Sequence, residues 1–334
     1  MTAHAADMAA LVAGLGKQLR WASALEFESL ERPPAVIVAG MGGSGISGDV
    51  AAPLADEAGS LLVVHKGYGL PGWVESVKPL VIAVSYSGAT EETLSGVDAA
   101  RRAGLPLVAV TSGGRLAEEA AAEGWPHITV PDGLPPRAAL GYLAGSVLRV
   151  LEGAQVVAPM RASLDEAADV VDDLVVGGAA ASLADDLAEG LAGRFSVIYG
   201  SSGPALPAAI RWKTQFNENA KAAAAWGIIP ELDHNEIVGW DADPDLSRRR
   251  VGVVSLRDED EHPQVARRFE ITRRLCTNRV GWVGEVWSQG SSSLARCLSL
   301  IAVGDLVSLG VAERAGVDPM DIAVLDQLKR EMAG

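Results

Sequence analysis

The stretch Ser85-Tyr86-Ser87-Gly88-Ala89-Thr90-Glu91-Glu92-Thr93 sets the hydroxyls of Ser85, Ser87 and Thr90 between an apolar run and a helical pattern. Hydroxyls and backbone N–H donors at the start of a helix cradle a phosphate without a large basic patch. The same residues make an ordinary Ser/Thr helix cap with Glu at a capping-box position, and the two roles are compatible. A further hydroxyl loop, Thr111-Ser112-Gly113-Gly114, follows another apolar run and reads as scaffold. Upstream, Gly40, Gly42 and Gly45 satisfy G-x-G-x-x-G between a predicted strand and a predicted helix, the setting of a nicotinamide or flavin site. That reading lacks its acidic ribose anchor, because the next strand, Leu61 to Val64, runs into His65 and Lys66. Those bases suit at most a ribose phosphate, while Asp56 and Glu57 precede the strand, so no cofactor is expected.

Two side chains suit proton transfer. His234, one of 5 histidines, lies in the polar segment Glu231-Leu-Asp-His-Asn-Glu236, and an imidazole gives and takes protons near neutral pH. Glu218 sits in a helical segment, Trp212 to Ala225, where a glutamate by itself reads as part of a solvated face. The 2 cysteines, Cys276 and Cys297, have no Cys/His partners at structural-zinc spacing, and buried thiols of a cytosolic protein account for them. No metal site is expected.

The elements that must position these groups follow from short apolar runs. Ala35–Ala39, Leu61–Val64, Leu80–Val84 and Leu107–Val110 read as buried parallel strands, with helices over Asp49–Ala58 and Glu91–Ala103. The scheme recurs about 160 residues later, where Ser196–Tyr199 runs into Gly200-Ser201-Ser202-Gly203, followed by strands at Val251–Leu256 and Arg279–Val286 and a helix from His262 to Thr272. Ala138–Leu151 and Ala162–Leu191 are helical stretches between the halves, and a final helix covers Ile322–Met332. The fold class is therefore α/β, two subdomains of like topology, each an open, mostly parallel sheet flanked by helices, divided as residues 1–155 and 156–334. Ligands of such sheets sit at the carboxyl ends of the strands.

Composition bounds the function. A chain of 334 residues with 49% hydrophobic and 21% charged residues buries a large core, and a net charge of −15 excludes the positive field of a nucleic-acid binder. The amino-terminal stretch lacks a basic region ahead of its apolar residues and reads as an amphipathic helix, not a signal peptide. With no unbroken apolar run of membrane-spanning length, no membrane partner is expected and the location is cytoplasmic.

In this order, Gly40-Met-Gly-Gly-Ser-Gly-Ile-Ser-Gly-Asp49, Ser85-Tyr-Ser-Gly-Ala-Thr-Glu-Glu-Thr93, Pro135-Pro-Arg137, Gln215-Phe-Asn-Glu-Asn-Ala-Lys221, Pro230-Glu-Leu-Asp-His-Asn-Glu-Ile237 and Leu325-Asp-Gln-Leu-Lys329 resemble the sugar isomerase (SIS) domain superfamily. They resemble most its bifunctional phosphoglucose/phosphomannose isomerase branch. The resemblance implies SIS-type subdomains and interconversion of glucose 6-phosphate or mannose 6-phosphate with fructose 6-phosphate through a cis-enediolate. It implies phosphate binding by Gly43, Ser44, Ser85, Ser87 and Thr90. Catalytic roles fall to Glu218 as the base, His234 and Lys329 in ring opening, and Arg137 in stabilising the enediolate. A homodimer follows, with His234 supplied across the interface. Members of the branch often carry a hydroxyl residue just before the last helix, whereas Asp318-Pro-Met-Asp-Ile322 has none. The competing readings are isomerisation of another sugar phosphate and a non-catalytic sugar-phosphate-binding regulator.

Overall fold

The computed structural model describes residues 3–241 and 243–332. Strands β1 (Val36–Ala39), β2 (Leu62–His65), β3 (Leu80–Val84), β4 (Leu107–Thr111) and β5 (His127–Thr129) form one parallel sheet in the order β2-β1-β3-β4-β5. β1, β3 and β4 are buried along their whole length. Covered on both faces, they need no polar side and read as unbroken apolar runs. β5 has only three residues, the outer two exposed, so it left no run to detect. Strand order turns back between β1 and β3, which opens a crevice at their carboxyl ends.

The helix after β1 spans Gly42–Glu57, beginning seven residues before the expected start at Asp49. Gly42, with φ +49°, starts the helix in a left-handed conformation, while Gly48 serves packing. A Cβ on Gly48 would lie 2.9 Å from a Val38 methyl and 3.0 Å from one of Val64, so this helix rests directly on β1 and β2. Other expected helices are shorter than their composition suggested. The amino-terminal helix breaks at Gly14 into Ala3–Ala13 and Leu15–Ala24, and the stretch 162–191 becomes Arg161–Val175 and Ala181–Leu191 around Gly178, whose φ is +77°.

Strands β6 (Phe195–Ser201), β7 (Ala224–Ile229), β8 (Val251–Arg257) and β9 (Trp282–Trp287) form a second parallel sheet, ordered β7-β6-β8-β9. β7 corrects the sequence reading, which carried a helix through Ala225. The helix Ala205–Glu218 stops at Glu218, and Lys221 with φ +51° turns the chain into the sheet. Alanine-rich residues favour helix only weakly, and pairing with β6 overrides that preference.

Packing divides the chain into two compact units, each built around one sheet. The first-sheet unit comprises Gly14–Asp172 and Gln289–Ser299, and the second-sheet unit Met1–Ala13, Asp173–Ser288 and Leu300–Gly334. The sequence reading instead divides the chain once, between residues 155 and 156. Helix Ser293–Ala315 is long and apolar enough to cross a bilayer, yet its most apolar window is 83% buried within the protein, as a core helix would be.

Within the second-sheet unit, the helix ending in Glu218 is fixed by one acid. Asp305 accepts hydrogen bonds from Arg211 Nε at 3.1 Å, Arg211 Nη2 at 2.8 Å and Gln215 Nε2 at 3.0 Å. The ion pair is almost wholly buried, with side chains 3% and 4% exposed. Nearby, Trp212 Nε1 donates to the Leu300 carbonyl at 2.8 Å, and a Cβ on Gly304 would come within 2.2 Å of that indole nitrogen. Only glycine at 304 lets the two helices approach so closely. Asp305→Ala leaves a buried guanidinium without its main partner, and we expect a loss of about 3 kcal/mol in stability, read from the urea unfolding midpoint.

Candidate active site

At the crevice of the first sheet, the loop after β3 and the first turn of helix Gly42–Glu57 come together. Ser85 is fully buried, and its hydroxyl lies 2.8 Å from that of Thr90. Thr90 stands at the N-cap of helix Glu91–Arg102, but its side chain bonds Ser85 rather than capping the helix. The helix amino terminus therefore has no side-chain cap, and its free N–H groups and dipole favour an anion. Ser44 Oγ accepts the Tyr86 N–H at 3.1 Å, tying the first loop to the second, and Ser87 Oγ accepts the Ala89 N–H at 3.3 Å.

Gly43 sets the position of Arg137. A Cβ there would meet the carbonyl carbon and oxygen of Pro136 and the nitrogen of Arg137, all at 2.9 Å, so the helix and the turn Pro136–Ala138 touch backbone to backbone. Arg137 is 4% exposed. The chain leading to it is held by Tyr86, whose hydroxyl donates to the Pro131 carbonyl at 2.9 Å and accepts the Leu134 N–H at 3.0 Å. Tyr86 was missed as a functional residue, though its place between two cradle serines was a usable signal. The structure thus gathers Gly43, Ser44, Ser85, Thr90 and Arg137, with Ser87 on the same loop.

The third hydroxyl loop is scaffold. Thr111 Oγ1 donates to the Gly113 carbonyl at 2.7 Å, and Ser112 Oγ to that of Tyr86 at 2.6 Å. Gly88, with φ +65°, packs against this loop so closely that a Cβ would fall 1.8 Å from the Gly113 oxygen. Lys66, the base considered for a ribose phosphate, is paired with Asp49 instead. Burial holds the Asp49 carboxyl above its usual range, and Lys66 pulls it back.

In the second-sheet unit, Glu218 lines a cavity of about 480 Å³ together with Asn217, Lys221 and the segment Asp321–Leu325, which enters the last helix (Ala323–Met332). Neither His234 nor Lys329 lines it. Lys329 is exposed on that helix, and His234 is exposed at the end of the short turn Glu231–His234 after β7. Two cations on or just after the helix bearing Glu218 are engaged within the protein: Arg211 pairs with Asp305, and Lys221 Nζ donates to the Glu218 carbonyl at 2.7 Å. The carboxyl-end crevice of this sheet is internally neutralised. Arg257, at the end of β8, is bound by Glu261 and Glu285 and lies between the rings of Phe269 and Trp287. Among the described residues no cluster of His, Cys, Asp and Glu could hold a metal ion.

The fold, two parallel sheets flanked by helices, recurs in solved structures. The C-terminal domain of glucosamine-fructose-6-phosphate aminotransferase from Francisella tularensis superposes with a TM-score of 0.71 at 16% identity, covering 95% of this chain and 98% of that one. Residues 180–332 match the family model described as the bacterial phospho-glucose isomerase C-terminal SIS domain. The bifunctional phosphoglucose/phosphomannose isomerase of Caldicellulosiruptor bescii is 38% identical over 304 residues, 89% of each chain, and that of Aquifex aeolicus is 33% identical over 325 residues, 96% of this chain and 97% of its own. The chain belongs to the bifunctional phosphoglucose/phosphomannose isomerase family.

Two outcomes test this geometry. Gly43→Ala should push the Pro136–Ala138 turn away and weaken fructose 6-phosphate binding about tenfold in titration calorimetry, since small displacements of binding groups carry penalties of that order. The second concerns Glu236, whose carboxyl is raised by burial and partly restored by the hydrogen bond from Tyr199. A raised acid holds its proton more tightly folded than unfolded. Its stabilisation is complete below its ordinary value of 4.5 and is lost as pH rises through the higher folded value. Glu236→Gln should flatten that slope in thermal unfolding measured from pH 4 upward, to about pH 8.

Proposed function

We propose that this protein interconverts glucose 6-phosphate and mannose 6-phosphate with fructose 6-phosphate through a cis-enediolate. The observation that carries this reading is the hydroxyl cradle of Ser85 and Thr90 beside the buried Arg137, in a chain whose family is named for both sugars. Gly43, Ser44, Ser85, Ser87, Thr90 and the uncapped helix terminus hold the phosphate. His234, assisted by Lys329, moves the proton between the ring oxygen and the hydroxyl at the anomeric carbon, which opens the ring. The Glu218 carboxylate then removes the proton at C2 of the aldose and returns it to C1, and the Arg137 charge stabilises the enediolate oxygens.

One site can serve both aldoses. C2 becomes planar in the enediolate, so the glucose and mannose epimers share one intermediate and differ only in the face on which the proton returns. A hydroxyl in Asp318–Ile322 is not demanded by that chemistry.

A homodimer with His234 supplied to the partner's site is part of this proposal. Support comes from the exposure of His234 and of apolar side chains close to it in the chain: Val238 is 70% exposed, and Trp226, on the edge strand β7, is 41% exposed. A cytoplasmic location fits Cys276 and Cys297, both buried and not joined in a disulfide.

Coupled turnover of fructose 6-phosphate, assayed separately for the two aldose phosphates, should give both products with the wild type and neither with Glu218→Gln. Mixing Glu218→Gln and His234→Ala subunits should restore activity, because a mixed dimer then holds one site with both native groups. Wild-type protein that binds the sugar phosphate but turns over neither aldose would instead favour a non-catalytic regulator.

A further inference from the structure

The residues flanking His234 are anchored while His234 itself is not. Its ring is exposed and makes no hydrogen bond among the described residues, whereas Leu232 packs into the core of the second sheet at 3% exposure. Asp233, directly before the histidine, turns inward with its side chain 7% exposed. It accepts the Thr272 hydroxyl at 2.7 Å and Arg268 Nη1 at 3.2 Å, both from helix Pro263–Thr277. Glu236, two residues after the histidine, reaches a different element. It accepts the Tyr199 hydroxyl of β6 at 2.8 Å, and that hydroxyl in turn accepts Trp240 Nε1 at 3.1 Å.

A surface turn needs no such attachments to exist. Burying carboxylates costs desolvation, and they repay it here only by binding two separate elements, the helix on one side and the strand on the other. One anchor would leave the turn free to swing, whereas two on different elements fix both the place and the direction of the residue between them. Proton transfer rewards that fixity, because a donor must lie within hydrogen-bond reach of the atom it serves.

We propose that Asp233 and Glu236 are positioning residues for His234, acting through Thr272 and Tyr199, and that their effect falls on the ring-opening step alone. The proposal rests on the reading of His234 as the ring-opening group. Thr272→Val and Tyr199→Phe remove the anchoring hydroxyls while leaving the turn's own residues unchanged.

The test compares fructose 6-phosphate with 5-deoxyfructose 6-phosphate. The second lacks the C5 hydroxyl that closes the furanose ring, and its C6 oxygen is esterified, so it is always open-chain. Each hydroxyl variant should slow turnover of fructose 6-phosphate about tenfold and that of the open-chain substrate less than about twofold, with Thr272→Ser restoring the former. Equal losses on both substrates, or none, would overturn the proposal. Should Tyr199→Phe fail to fold, Thr272→Val makes the same comparison at the opposite anchor. His234→Ala serves as the reference. Selective loss on fructose 6-phosphate confirms the histidine's assignment, and equal loss on both substrates sinks that assignment and this proposal with it. Selective loss in His234→Ala but not in the anchor variants removes the proposal alone.

Discussion

The first-sheet site depends on backbone surfaces that meet with no side chain between them. At Gly43 the helix after β1 touches the turn carrying Arg137, and at Gly88 the cradle loop touches the loop after β4. Both contacts exclude a Cβ, so the spacing of the helix after β1 from the Arg137 turn, and of the hydroxyl loop from the loop after β4, is set by peptide groups, the stiffest parts of the chain. Hydroxyls then complete what the backbone begins. Ser44 binds the Tyr86 N–H, which registers the two loops against each other, and Ser85 binds Thr90 within the second loop. A site prepared in this way loses little on binding, because its donors are already ordered.

The second-sheet unit solves a different problem by a different means. Glu218 is the last residue of its helix, where fraying is easiest. The brace lies one to two turns earlier, at Arg211 and Gln215, both held by Asp305. Charge here fixes a helix rather than a ligand. The same holds at β8, where Arg257 stands at the position that a ligand-binding cation would use, but is consumed by Glu261 and Glu285. The two sheets share a topology at their crevices, yet one crevice presents open donors and the other is closed by its own ion pairs.

Much of this was legible from the residues. Buried parallel strands announce themselves as apolar runs, and β1, β3, β4 and β8 stand where such runs predicted. The hydroxyl loop was legible because its spacing is local. What escaped was set at a distance. β7 begins in a run of alanines that reads as helix and is drawn into the sheet by pairing with β6, its strand-favouring residues Trp226, Ile228 and Ile229 coming only after that run. Asp305 sits in the apolar sequence Val303-Gly-Asp-Leu-Val307, and its partners are about 90 residues away in the chain. The glycines after β1 looked like a cofactor loop because close helix packing and close phosphate approach both require the same missing side chain. Thr90 looked like a cap for a similar reason, since only its geometry shows that the hydroxyl serves Ser85.

A chain of net charge −15 that binds a phosphate ester poses an apparent conflict, which length scales resolve. Charges on the surface are screened over about 8 Å at physiological salt, so most of the acidic residues contribute little inside the crevice. At the proposed phosphate site the nearby groups decide: neutral hydroxyls, an uncapped helix terminus contributing up to about 2 kcal/mol, and Arg137, buried at 4% exposure, where its charge is poorly screened. Neutral donors carry a further advantage for a phosphate that must leave again. They bind through direction rather than through net charge, so in the proposed reaction a product with the same phosphate departs against modest attraction, and Arg137 is left for the charge that would develop as the enediolate forms.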